Sequence, residues 1–138
     1  MNPARTKQSK YQPARVTVAV LAHIPHLTGF YEHRLGVLEA CLESIIQNTA
    51  APYDLLVFDN ASCEEVQTFL AGLQAQGLLS FVYRSSANIG KLAAIRLIFS
   101  AAPGELVAFS DDDVYHYPGW LAAELEVHDT FPQVGVVS

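Results

Sequence analysis

Val16-Thr17-Val18-Ala19-Val20-Leu21-Ala22 is a short, β-branched and almost uninterrupted apolar run. An amphipathic helix would break it with polar residues every third or fourth position, and a strand with one wet face would alternate. The run does neither, so it reads as a strand covered on both faces. Residues 53–58 (YDLLVF), 79–83 (LSFVY) and 105–110 (ELVAFS) read as three further strands, and 134–137 (VGVV) as the start of a fifth. Between them apolar residues recur at helical spacing: Leu35, Leu38, Leu42, Ile45 and Ile46, then Val66, Phe69, Leu70 and Leu73. A third helix is expected over 88–102 with Leu92, Ile95, Phe99 and Ala102 inward, stopped by Pro103-Gly104. A fourth starts at Trp120, after Pro118-Gly119, and runs to about Phe131. Ser62-Cys63-Glu64-Glu65 has the form of a capping box, which predicts Ser62 as a helix cap. Strands alternating with helices predict an α/β fold, a mainly parallel sheet with helices on both faces.

The 138 residues suit one domain, and 51% hydrophobic against 16% charged residues is a globular composition. The opening MNPARTKQSKYQP is polar, so residues 1–13 are expected to be a flexible tail and 14–138 the domain. No apolar run approaches the ~20 residues of a membrane-spanning helix, and no secretion signal opens the chain. No transmembrane segment is expected, and the cytoplasm is the expected compartment. Arg5, Lys7, Lys10 and Arg15 lie in the first fifteen residues, leaving four basic residues against fourteen acidic ones in the rest. So acidic a body is a poor partner for nucleic acid, which needs a basic face. Cys41 and Cys63 are the only cysteines and form no CxxC pair, so they read as ordinary reduced thiols.

In parallel sheets ligands bind beyond the carboxyl ends of the strands. Ala22-His23, Asp59, the loop from Arg84 to Lys91, and Asp111-Asp112-Asp113 all fall at such ends, on one edge. Three consecutive carboxylates need a reason to sit together. Two unit charges about 4 Å apart interact by roughly 4 kcal/mol near a protein surface. A divalent cation with a taste for hard oxygen ligands, Mg²⁺ or Mn²⁺, reverses the sign of that term; the alternative is a solvated acidic turn. Asp59 reads either as a turn residue or as an acceptor for the N–H of a base or for ribose hydroxyls. Asn88-Ile89-Gly90-Lys91 opens a helix, and a helix N-terminus followed by lysine attracts phosphate. Arg96, one turn on, either helps or is a solvated helix charge. His23 and His26 match no zinc signature and read as loop histidines, with His33, His116 and His128 elsewhere. Phe30 and Tyr31 either pack on the body or stack on a ligand. Tyr115, Tyr117 and Trp120 read as the anchor of the turn after the acids, which Pro118 fixes.

Taken in order, the strand 16–22, Asp59-Asn60-Ala61-Ser62, Asn88-Ile89-Gly90-Lys91 and Ser110-Asp111-Asp112-Asp113-Val114 followed by Pro118-Gly119-Trp120 resemble family 2 glycosyltransferases of the GT-A fold. The resemblance covers residues 14–138. It implies a nucleotide-diphosphate-sugar donor, UDP-, GDP- or dTDP-linked, with Mg²⁺ or Mn²⁺ held by a D-x-D motif formed by Asp111 and Asp113. Asp111 would face the ribose and Asp113 would ligate the metal, with Asp112 between them touching ribose or remaining structural. Asp59 would read the base, Ala22 and His23 would border its pocket, and Asn88, Gly90 and Lys91 would lie beside the ribose and phosphates. The sequence departs from the family in a longer loop after the first strand, in His23 where an aromatic such as tyrosine is common, and in Arg96 where asparagine is common. The family's acceptor half and catalytic base are expected beyond Ser138. The chain thus resembles the donor-binding half of an enzyme that transfers a sugar, with inversion, to a hydroxyl of a glycan, lipid or protein. Two other readings are a non-catalytic nucleotide-sugar-binding module and a receiver-type phosphoacceptor domain. The latter places an acid pair near the end of its first strand, where this chain has Ala22-His23.

Overall fold

The structure is a computed structural model and describes residues 11–50 and 52–138. In chain order it contains β1 (Val16–Ala22), a 3-10 turn (Gly29–Tyr31), α1 (Arg34–Asn48), β2 (Asp54–Asn60), α2 (Glu64–Ala75), β3 (Phe81–Ser85), α3 (Lys91–Ala101), β4 (Leu106–Asp111) and α4 (Trp120–Thr130). The four strands form one sheet of order β3-β2-β1-β4, with every pair parallel.

Every residue of β1 and β2 is buried, as the uninterrupted apolar run requires. Val18, Val20 and Ala22 point to one face, where Leu38, Leu42 and Ile45 of α1, Val66 and Leu70 of α2 and Leu121 of α4 cover them. Ala19, Leu21, Leu56 and Phe58 point to the other, against Ala94 and Ile98 of α3. Connectivity dictates this division. The path β1-β2-β3 steps one way across the sheet, and the step from β3 to β4 returns past both inner strands. Right-handed crossovers put connections of opposite direction on opposite faces. The reversal makes β1 and β4 a topological switch point, whose carboxyl ends are the expected ligand crevice.

Three local expectations give way to tertiary structure. Ser62 does not cap α2: Cys63 precedes the helix, with no side-chain cap bond. The buried Ser62 hydroxyl instead accepts the N–H of Ile24 at 3.0 Å, and the Cys63 N–H donates to the Ile24 carbonyl at 2.8 Å. The serine therefore fastens the loop after β1 to the loop after β2. In α3 the buried residues are Ala94 and Ile98, with Ile95 partly covered, while Leu92 and Phe99 are 65% and 54% exposed. That helix is apolar nearly all round, so periodicity selects no face, and the small Ala94 suits the side pressed on the sheet. Residues 134–137 form no strand, since none of the described strands pairs with them, and Val136 is 85% exposed. Of the tail expected over 1–13, residues 1–10 lie outside the described residues. Tyr11 donates a hydrogen bond to Asp54 at 2.7 Å and meets the Phe81 ring edge-on.

Gly104 sets how closely the turn before β4 approaches β1. A Cβ there would stand 2.8 Å from both the Arg15 carbonyl oxygen and the Thr17 nitrogen, backbone atoms that cannot swing aside. Gly104→Ala is expected to cost about 1–3 kcal/mol, in the range of overpacked sites; chemical denaturation would measure it as a lower midpoint at unchanged slope. Among the described residues no helix is long and apolar enough to cross a membrane.

Candidate functional site

Strand register brings the sequence-predicted residues into one row. Ala22 lies opposite Asp59, Leu21 opposite Asp111, and Asp59 opposite Arg84, all at carboxyl ends. Above this row opens a cleft of about 460 Å³, lined by His23, Asn88, Gly90, Lys91, Asp111, Asp112 and Asp113 together with Leu21, Phe30, Tyr31, Arg34 and Asn60. Ala22 and Asp59 are fully buried beneath it and do not line it.

The acidic triplet is held in an ordered charge arrangement. Lys91 Nζ sits 2.8 and 2.9 Å from the two carboxylate oxygens of Asp111. Arg34 Nη2 donates to Asp112 at 2.5 Å and Arg34 Nη1 to Asp113 at 3.2 Å. Asp112 is nearly buried, and burial holds its carboxyl above the ordinary carboxylate range despite the opposing pull of Arg34. Asp113, whose side chain is 52% exposed, faces the cleft.

Beside the acids lies a neutral network. A carbonyl only accepts, so His23 Nδ1 carries the proton it donates to Asn60 O at 2.7 Å. Asn88 Nδ2, an amide nitrogen that only donates, lies 3.1 Å from Nε2, which therefore accepts. The Asn88 side-chain oxygen accepts from Asn60 Nδ2 at 3.0 Å and from the Gly90 N–H at 2.8 Å. Asn60 Oδ1 in turn accepts the Ile89 N–H at 3.0 Å. The network joins the ends of β1 and β2 to the entry of α3. Gly90, immediately before that helix, has φ +81°, which a side chain would oppose.

Asp59 is completely buried. One oxygen accepts the Ser62 N–H at 2.8 Å, and the other accepts Arg84 Nε at 2.9 Å. Arg96 is exposed on α3 and does not line the cleft. His26 meets the Tyr31 ring edge-on at 5.0 Å, while Phe30 is 84% exposed. After the acids, Trp120 donates to Thr49 at 2.9 Å and packs against the buried His116 ring at 4.4 Å. Tyr115 and Tyr117 are exposed, so the anchor is His116 with Trp120 and not the two tyrosines. Cys41 is buried, its thiol pushed up to about 11 by burial, and both cysteines are free.

Arg34 and Asn60 escaped the reading from sequence. Arg34 did carry a signal: it opens α1, where the helix dipole disfavours a cation unless acids nearby hold it. Its partners lie 78 and 79 residues away, so nothing local names them.

Among the described residues no three His, Cys, Asp or Glu side chains gather closely enough to hold a metal ion by themselves. That is compatible with Mg²⁺ or Mn²⁺. Magnesium is commonly bound through one or two carboxylates plus substrate phosphates rather than by an all-protein cage. Asp111 and Asp113 supply hard oxygen donors on the cleft wall, so the donor set fits.

The comparisons with known proteins agree with this geometry. Residues 30–138 match glycosyl transferase family 2. An uncharacterized glycosyltransferase of Nostoc sp. (strain PCC 7120) is 30% identical over 100 residues, covering 72% of this chain and 31% of its own length. The chain thus spans about a third of that relative. Among solved structures, S. aureus TarS 1–349 in complex with UDP-GlcNAc aligns over 91% of this chain and 37% of its own, at TM-score 0.68 and 16% identity. GalNAc-T7 with UDP, GalNAc and Mn²⁺ aligns over 85% of this chain and 21% of its own, at TM-score 0.61 and 18% identity. At such identities the likeness is one of fold, the GT-A type expected from the motifs. With its strand order, its cleft at the switch point and a family match over most of its length, the chain belongs to glycosyl transferase family 2.

Proposed function

We propose that this chain is the donor-binding part of a glycosyltransferase and receives a nucleotide-diphosphate sugar in the cleft at the ends of β1 and β4. The observation that carries the reading is the meeting of Asp111, Asp112 and Asp113 with Lys91 and Arg34 on one cleft wall at the switch point. TarS, in complex with UDP and with UDP-GlcNAc, and GalNAc-T7, with UDP and Mn²⁺, support the choice of ligand class. Asp113 and Asp111 would hold Mg²⁺ or Mn²⁺, which when bound neutralises charge developing on the leaving diphosphate. Lys91 and the N–H groups entering α3, aimed by Asn88 and Gly90, face the phosphates and ribose. His23 borders the base, while Ala22 and Asp59 act from beneath, Asp59 holding Arg84 and the 60–62 turn at the base side. Asp112, clamped by Arg34, keeps the acidic turn in shape.

Transfer with inversion also needs a general base to take the acceptor's hydroxyl proton, a contribution of roughly 10²–10⁴ in rate. Asp111, Asp112, Asp113 and Asp59 are already engaged with Lys91, Arg34 and Arg84. We therefore assign the base and the acceptor pocket to sequence outside residues 1–138. Purified chain offered a panel of nucleotide sugars is expected to show slow donor hydrolysis and little transfer, and a version extended to the length of its relatives is expected to transfer. Robust transfer by the 138-residue chain would refute that division. Donor binding with no turnover in either form would favour a non-catalytic nucleotide-sugar-binding module.

A further inference from the structure

Arg34 stands where elementary electrostatics would not put it. As the first residue of α1 it meets the positive end of the helix dipole, and its Nε is buried with no hydrogen-bond partner among the described residues. Two carboxylates hold it there, and they hold it unequally. The bond to Asp112 is short, at 2.5 Å, and its carboxylate is 9% exposed. The bond to Asp113 is longer, at 3.2 Å, and that carboxylate is 52% exposed. The guanidinium can give up the second bond and keep the first.

The charges around the cluster make this consequential. Among the described residues three carboxylates face two resident cations, Arg34 and Lys91, which leaves one negative charge uncompensated by them. A divalent cation arriving alone meets a site already mostly neutralised. One arriving with a diphosphate brings negative charge for both Arg34 and Lys91 to face.

We propose that Arg34 is the internal counter-ion of the acidic cluster, anchored on Asp112 and yielding Asp113 to the divalent cation, so that the cation binds well only with the nucleotide. The inference rests on the donor-binding reading and assigns Arg34 a positioning role within it. By linkage, the factor by which nucleotide strengthens cation binding equals the factor by which cation strengthens nucleotide binding. Removing the counter-ion lowers that factor, because the cation no longer competes with a resident charge.

The test is titration of Mn²⁺ into the whole chain, following free Mn²⁺ by its paramagnetic resonance signal, with and without UDP. The wild type is expected to bind Mn²⁺ weakly alone and at least about tenfold more tightly with UDP. Arg34→Gln is expected to bind Mn²⁺ alone about tenfold more tightly than the wild type, with a smaller gain from UDP. Arg34→Lys keeps the charge but loses the planar fork that spans both carboxylates, so it should fall between the two. If Arg34→Gln does not fold, Arg34→Lys decides: tighter binding of Mn²⁺ alone supports the inference, and wild-type behaviour overturns it. Arg34→Gln binding Mn²⁺ alone no more tightly than the wild type, while both bind it with UDP, overturns the counter-ion role and leaves the donor site standing. Failure of the wild type to bind Mn²⁺ even with UDP contradicts the donor reading itself.

Discussion

Asp113→Asn is expected to leave the melting temperature nearly unchanged while weakening Mn²⁺-dependent UDP binding by roughly ten- to a hundredfold, equivalent to ~1.4–2.7 kcal/mol. The two halves of that expectation have separate causes. Asp113 is half exposed, and its only ion pair among the described residues is the longer of the two Arg34 contacts, so the fold loses little. The cleft loses an anionic oxygen donor, and the neutral amide oxygen that replaces it attracts a divalent cation far less. Asp112→Asn should behave in the opposite way. Its carboxylate is nearly buried and holds Arg34 at 2.5 Å, so its loss leaves a largely covered guanidinium short of its main partner. Differential scanning calorimetry with and without Mn²⁺-UDP separates them. Asp113→Asn should lose the ligand-induced rise in melting temperature, and Asp112→Asn should lower the melting temperature of the free chain. A wild-type ligand response from Asp113→Asn would contradict its assignment as a metal ligand.

The Asp59–Arg84 pair should give the largest effect on stability, and the two partners should not be equivalent. Arg84→Ala strands a completely buried carboxylate with a single backbone N–H, which places its cost near the ~3–5 kcal/mol of a broken buried pair. Asp59→Ala leaves Arg84, whose side chain is 41% exposed and can turn to water, so the remaining penalty is mainly the unpaired Ser62 N–H, about 1–3 kcal/mol. Urea denaturation of both variants tests the order. Equal costs, or a larger cost for Asp59→Ala, would show that the pair is not held as the structure has it. Asp59→Ala should also weaken nucleotide binding by about tenfold if the base sits as proposed, because Arg84 and the turn into α2 lose their fixed positions at that side of the sheet edge. Untouched binding in a destabilised variant would leave Asp59 as a turn residue only.

The sequence disclosed what depends on short range. The run from Val16 to Ala22 can be satisfied only by apolar cover on both sides, and β1 has it. The acidic triplet announced itself because like charges in succession demand an explanation from within the chain. The topology rule then gathered His23, Asn88, Lys91 and the acids on one edge, where the cleft lies. What stayed hidden depends on contacts made across long stretches of chain. Arg34 has a meaning only once α1 is packed beside the turn after β4. The Ser62 hydroxyl had two uses open to it, a cap within three residues and a bond to Ile24, and the tertiary contact won. In α3 the apolar residues surround the helix, and only the sheet decides that Ala94 and Ile98 face it. Residues 134–137 have strand-like composition, but a strand exists by pairing, and no partner lies beside them among the described residues.

Isothermal titration of UDP into the wild-type chain, once with Mn²⁺ and once with EDTA, tests the central claim most directly. Binding in the cleft formed by Asp111, Asp113 and Lys91 predicts a clear binding isotherm with Mn²⁺ and affinity at least about tenfold weaker in EDTA. Equal affinity in the two conditions, or no binding in either, would contradict a metal-assisted nucleotide-diphosphate-sugar site at the ends of β1 and β4.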